Sequence, residues 1–178
     1  MKKIVSMVLA CILLLSLCAC SGEPSLVGTA PAGNNSTTEA PATEANKTFK
    51  LGDSVELDDV IVTFLDVTES KGSQYNKPED GNVFVLCEFE IKNNSDEELT
   101  VSSLLSFEAY CDDYSCEYSF SALLEKGNKD QLDGSVAAGK KMKGVIGYEL
   151  PKDWQQLEVR YTLDLLSSSE IVFIATND

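Results

Sequence analysis

The 178-residue chain predicts an all-β domain, an antiparallel β-sandwich set behind a secretion signal and a disordered tether. Two stretches of strict alternation carry the fold class. In Val83–Asn93, Val83, Val85, Cys87, Phe89 and Ile91 fall on one face, while Glu88, Glu90 and Lys92 fall on the other. A strand with one buried face accounts for that period of two. Leu157–Leu165 repeats it, with Leu157, Val159, Tyr161, Leu163 and Leu165 inward. The third observation is that turn-forming clusters recur between short apolar runs and no amphipathic helix of normal length interrupts them, the signature of a sandwich or barrel.

Met1-Lys2-Lys3 is a short basic start, and residues 4–17 carry no charge. A membrane-spanning helix needs about 20 apolar residues, so this run has the length of a signal-peptide core. It ends in Leu17-Cys18-Ala19-Cys20, which resembles the lipobox of bacterial lipoproteins. The resemblance implies cleavage after Ala19, a diacylglycerol thioether on Cys20, and attachment to the outer, extracytoplasmic face of the cell membrane. Two acyl chains suffice for stable anchoring, since each buried methylene contributes about 0.8 kcal/mol.

Residues 20–47 read as the lipidated cysteine followed by a disordered linker. Ala, Thr, Ser, Gly and Pro make up 18 of the 27 residues from Ser21 to Lys47. Such a segment cannot bury enough apolar surface to offset chain entropy. As a flexible coil it would span roughly 30 Å. From Thr48 the pattern becomes that of strands, so residues 48–178 form the expected domain. Its shorter strand candidates are Phe49–Leu51, Val55–Leu57, Leu99–Val101, Leu105–Cys111, Cys116–Phe120 and Ile171–Thr176. Val60–Val67, apolar on both faces until Asp66, reads as a central strand. Met142, Ile146, Tyr148 and Leu150 mark a further strand. Asp58-Asp59, Asn93-Asn94-Ser95-Asp96, Asp112-Asp113 and Ala138-Gly139-Lys140 supply turns. Ser121–Lys126, ending at Gly127, reads as one helical turn.

The strand and turn motifs resemble a family of immunoglobulin-like, telokin-like domains found in bacterial secreted lipoproteins. The resemblance rests on Leu51-Gly52-Asp53-Ser54-Val55, Ile91-Lys92-Asn93-Asn94-Ser95, Phe107-Glu108-Ala109-Tyr110, Ala138-Gly139-Lys140, Gly144-Val145-Ile146-Gly147-Tyr148 and Tyr148-Glu149-Leu150-Pro151. It implies an immunoglobulin-like sandwich over residues 48–178 and carries over no catalytic residues. Cys111–Cys116 stands where a glycine-containing turn is common in that family.

Charge and residue types limit the chemistry. Loss of Lys2 and Lys3 with the signal leaves 12 basic against 29 acidic residues, a net charge of −17. Such a chain repels phosphate backbones, so nucleic acid is not an expected partner. The chain has no histidine, hence neither the commonest general base nor the commonest metal ligand. No nucleophile and base stand together in sequence, so no enzyme activity, cofactor or metal is expected. The acidic pairs Asp58-Asp59, Glu79-Asp80 and Asp112-Asp113 read as solvated turns rather than calcium ligands, which must number 6–8.

Three cysteines remain beyond Cys20. Cys87 reads as a buried, inert thiol. Cys111 and Cys116 flank a four-residue turn, and a hairpin brings such α-carbons within disulfide range, so a bond between them is expected. Tyr75 and Asn76 in the long connection 70–82 and Tyr114 at the hairpin are the candidate contacts for a partner. Trp154, the sole tryptophan, reads first as a cap on one end of the sandwich and second as a further such contact. The expected function is a non-catalytic binding or adaptor module for an envelope protein or peptide. The alternative is a small-ligand or ion receptor, which a concave pocket with converging polar groups would favour.

Overall fold

A computed structural model describes residues 22–29, 47–163 and 169–177. The signal segment 1–19, Cys20 and most of the expected tether lie outside the described residues. In chain order the elements are β1 (Ser25–Thr29), β2 (Thr48–Lys50), β3 (Asp53–Leu57), β4 (Val60–Ser70), β5 (Asn82–Asn93), β6 (Leu99–Val101), β7 (Phe107–Cys111), β8 (Tyr114–Cys116), α1 (Phe120–Leu123), β9 (Gly134–Val136), β10 (Lys141–Pro151), β11 (Gln156–Thr162) and β12 (Glu170–Thr176). They form a β-sandwich. One sheet has the order β1-β3-β4-β5-β10, the facing sheet β2-β12-β11-β7-β8, and β6 pairs with β9 in a small side ribbon.

Alternation along the long strands fills the space between the sheets. Val83, Val85, Cys87, Phe89 and Ile91 from β5 meet Leu157, Val159 and Tyr161 from β11 in one buried cluster. Its centre is aromatic. Phe64 stacks on Phe89 at 4.5 Å between ring centroids, and Phe173 from the facing sheet meets Phe64 edge-on at 5.7 Å. Phe107 lies 5.3 Å from Phe89 and 5.0 Å from Tyr161. Such offset pairs contribute about 0.5–1.5 kcal/mol each beyond their burial.

The other face of β5 is also covered. Phe84 and Leu86 pack with Val145, Ala122 and Leu123, because α1 lies across β5 and β10. The Ser119 hydroxyl caps that turn by accepting the Ala122 N–H at 3.1 Å. Close approach is possible because β10 carries Gly147, where a Cβ would sit 2.9 Å from the Ala122 methyl and the Ser119 carbonyl. The cap ends β8 earlier than the expected Cys116–Phe120 strand: Phe120 opens the helix instead.

Two further departures come from the N-terminal side. Within the segment expected to be disordered, residues 25–29 form β1, which pairs antiparallel with β3, Ser25 opposite Glu56 and Thr29 opposite Asp53. The backbone pairing offered by the uncovered edge of β3 does not require an apolar sequence, so composition missed it. Strand β2 pairs with β12 in parallel, so the second sheet is mixed rather than purely antiparallel. The chain passes from one sheet to the other through Gly52, at φ 92°, whose N–H donates to the Phe64 carbonyl at 2.7 Å.

Candidate functional site

Strand β7 is paired unevenly. On one side β11 matches it from Phe107 to Cys111, and on the other β8 matches only Ala109–Cys111. Past Cys116 the chain leaves β7 and crosses to the first sheet, where Tyr118 bridges to Tyr148. A cavity of about 480 Å³ opens where the two strands part. Phe107, Tyr110, Tyr118 and Tyr148 supply its aromatic walls, Glu108 and Glu117 its carboxylates, and Ser103 and Ser115 its hydroxyls. Leu104, Ala109 and Cys116 complete the lining, which contains no basic residue.

One wall is fixed by a polar network. The Ser103 hydroxyl donates to Asp133 at 2.6 Å, and the Ser103 N–H donates to the other oxygen of that carboxylate at 3.0 Å. The Gln131 side-chain amide donates to the Tyr118 hydroxyl at 2.9 Å and also to Asp133. Burial raises the Tyr118 phenol above its ordinary value, a hydrogen bond with Ser103 opposes the rise, and the Asp133 charge adds to it. Tyr118 is therefore a neutral, positioned ring at neutral pH. Burial likewise raises the Cys116 thiol, against hydrogen bonds from Cys111, so this cysteine stays protonated and is a poor nucleophile.

On the other side of Tyr110 a cavity of about 200 Å³ is lined by Tyr110, Asp113, Gln156, Glu158 and Arg160. The Arg160 guanidinium lies 5.1 Å from the Tyr110 ring centroid. It is neutralised by Glu158 at 2.6 Å and Glu170 at 3.2 Å, which leaves the neighbourhood of both cavities acidic.

The residues singled out in the sequence are not brought together. Tyr75 and Tyr114 are 92% and 80% exposed, but neither lines the larger cavity. The Asn76 side chain is occupied within the fold, donating to the Ser121 carbonyl at 2.9 Å and to Glu125 at 2.7 Å. Trp154 is 2% exposed, and its indole N–H donates to Glu69 at 2.6 Å. It closes one end of the core and is unsuited to meeting a partner. Cys20 lies outside the described residues.

The disulfide expected at the hairpin is not formed: Cys87, Cys111 and Cys116 are free thiols. The turn holds two residues, not four, so Cys111 faces Tyr114 and Cys116 faces Ala109. The two cysteines thus stand on a diagonal of the ladder, where α-carbons are farther apart than in an opposed pair. Burial pushes the Cys111 thiol up to about 12, with Cys116 and Asp112 adding to the rise.

Sequence reading missed Tyr118, Glu108, Glu117 and Ser103 as neighbours. They come from opposite edges of an opening that exists only because β8 leaves β7, and no local pattern announces that departure. Among the described residues no group of three or more histidine, cysteine or acidic side chains is placed to hold a metal ion. None of the described helices is long and apolar enough to cross a membrane.

Residues 49–171 match the family described as domain of unknown function DUF4352. The chain belongs to the DUF4352 family. No curated protein matches this DUF4352 chain in sequence. Among solved structures it is similar in fold to ycdA, a candidate lipoprotein of Bacillus subtilis subsp. subtilis str. 168, with a TM-score of 0.56 and 20% identity over 67% of this chain and 37% of that one. The DUF4352 chain therefore spans little more than a third of ycdA's length. The yjhA protein of Bacillus subtilis gives a TM-score of 0.56 at 17% identity, covering 73% of this chain and 99% of its own. A functionally unknown protein of Listeria monocytogenes EGD-e gives 0.51 at 12% identity, covering 88% of each chain. At these identities the likeness shows a shared fold.

Proposed function

We propose that this DUF4352 domain is a non-catalytic binding module, held by lipid on Cys20 at the extracytoplasmic face of the membrane, which takes an extended peptide bearing a lysine or arginine. The observation that carries the binding reading is the cavity at the open side of β7. Among the described residues Phe107 and Glu108 have a strand partner on one side only, which invites a peptide to add along that edge. The lining offers aromatic faces and two carboxylates with no basic group, a setting that attracts a cation over an anion. The protonated Cys116 and the absence of histidine from the chain both weigh against covalent or general-base chemistry there. The lipobox and the likeness to a candidate lipoprotein support the anchor.

The volume also falls among those of small-ligand sites, which favours a second reading as a receptor for a small organic cation. The test uses the lipidated chain in detergent micelles and two decapeptide pools, random except for a central lysine or a central glutamate. The lysine pool is expected to bind, and the double variant Glu108→Lys with Glu117→Lys to abolish binding. Retention of neither pool overturns the peptide reading. Choline binding lost in the same double variant would then assign the cavity to a small cation.

A further inference from the structure

The anchor reading, taken with β1, fixes how the molecule stands. Composition predicts a loose leash of roughly 30 Å between lipid and domain. The structure instead engages the chain almost at once. A Cβ built on Gly22 would fall 2.0 Å from the Asp58 carboxylate, so the backbone at Gly22 runs directly against the β3–β4 turn. Three residues later β1 begins its pairing with β3. Only two residue steps separate Cys20 from Gly22, and an extended chain covers at most about 7 Å in two steps.

The strand order defines two ends of the sandwich. At the end touched by Gly22 lie the Asp58-Asp59 turn and the connection that follows β5, joined by the Asn94 N–H donating to the Asp59 carbonyl at 2.8 Å. At the other end Lys152 donates to the Gly81 carbonyl at 2.9 Å, and Asp112 accepts from the Gln155 and Gln156 N–H groups. The 12 residues of β5 join the two ends, which at 3.3–3.4 Å per residue separates them by about 40 Å.

We infer that the sandwich stands upright on the lipid surface, with the Asp58-Asp59 end against the headgroups and the Asp112-Asp113 hairpin, Tyr75 and Tyr114 held outward. This rests on the lipid anchor proposed above. At the inner end Asp58, Asp59, Asp96, Glu97 and Glu98 outnumber Lys92, Lys140 and Lys141, so the covalent chain and not charge attraction sets the standoff. The candidate cavity lies between the two ends, with Tyr148 opposite Val85 and Phe107 opposite Tyr161, so it opens on the flank of the upright domain.

Energy transfer from tryptophan to a dansyl-headgroup lipid tests the orientation, using the natively acylated chain in phosphatidylcholine vesicles. Native Trp154, at the outer end, is expected to give little transfer, and Tyr75→Trp to add little. Asp96→Trp, at the inner end, is expected to add strong transfer. Leu26→Pro, which removes a β1 donor, should reduce the Asp96→Trp signal. So should ten Gly/Ser residues inserted between Ser21 and Gly22, a change that leaves β1 intact. Equal transfer from Asp96→Trp and Tyr75→Trp in an acylated chain, or an Asp96→Trp signal indifferent to the insertion, overturns this proposal alone. A native chain whose intact mass carries no diacylglycerol overturns the anchor and the orientation together.

Discussion

The Asn93 side-chain amide donates to the Val136 carbonyl at 2.9 Å, joining the end of β5 to β9. The same amide donates to the Glu97 carbonyl at 2.7 Å, and its oxygen accepts from the Ser95 N–H and hydroxyl at 3.0 and 2.6 Å. Asn93 is fully buried, and all of these bonds require an amide's mixed donor and acceptor character. Asn93→Ala leaves two carbonyls and one N–H without that partner and is expected to cost about 3 kcal/mol in urea unfolding. Asn93→Asp should be no better, because a carboxylate would face two carbonyls.

Tyr161 makes the opposite case. Its ring belongs to the aromatic centre, yet its hydroxyl is buried without a hydrogen-bond partner among the described residues. Tyr161→Phe keeps the ring and removes the unpaired group, so the urea midpoint should rise, by about 1 kcal/mol in stability. A loss of stability would show that the hydroxyl has a partner after all.

Glu88 links stability to pH. It is 7% exposed and bonded to Lys129 at 2.5 Å and Lys143 at 2.8 Å. Burial alone would raise its carboxyl, but the two lysines outweigh burial and hold it below the usual carboxylate range. A carboxyl lowered in the folded state stabilises fully above its unfolded value, and that contribution disappears as pH falls through the folded value. Glu88→Gln should therefore cost about 1 kcal/mol at pH 7, kept modest by the solvent exposure of both lysines. The gap from the native chain should close as urea titrations move down through the carboxylate range.

Two turns carry removable strain. Asp58 and Asp59 have φ of 45° and 63°, and Asp112 and Asp113 have φ of 48° and 70°, as in a type I′ hairpin. Glycine is the favoured second residue there, so Asp59→Gly and Asp113→Gly should each stabilise by about 0.5 kcal/mol. Asp112→Gly should instead destabilise by about 1 kcal/mol, since the Asp112 carboxylate accepts from Gln155 and Gln156. Differential scanning calorimetry of the three variants would separate these signs.

The sandwich was legible because its information is local. Alternation in Val83–Asn93 and Leu157–Tyr161 marks the two inner faces, Leu165 lying outside the described residues, and paired aspartates mark both tight turns. What escaped depends on the complete fold. Glycines 144 and 147 looked like strand residues, but their missing side chains make room for residues 119–132 to lie against β10. The place of Trp154 at one end of the sandwich is legible from the strand connection it follows, but the partner of its indole N–H, Glu69, lies 85 residues earlier and is not. The cavity needed Ser103, Phe107, Tyr118 and Tyr148 to meet, and their spacing in sequence says nothing about that meeting.

Strand β1 also bears on how the protein is produced in the laboratory. The family match begins at residue 49, so a fragment cut to those bounds would begin after β1. It would bare the flank of β3, whose ladder groups would then be open to a second molecule. A fragment starting at Gly22 should run as a monomer in size-exclusion chromatography, whereas one starting at Thr48 should dimerise or precipitate.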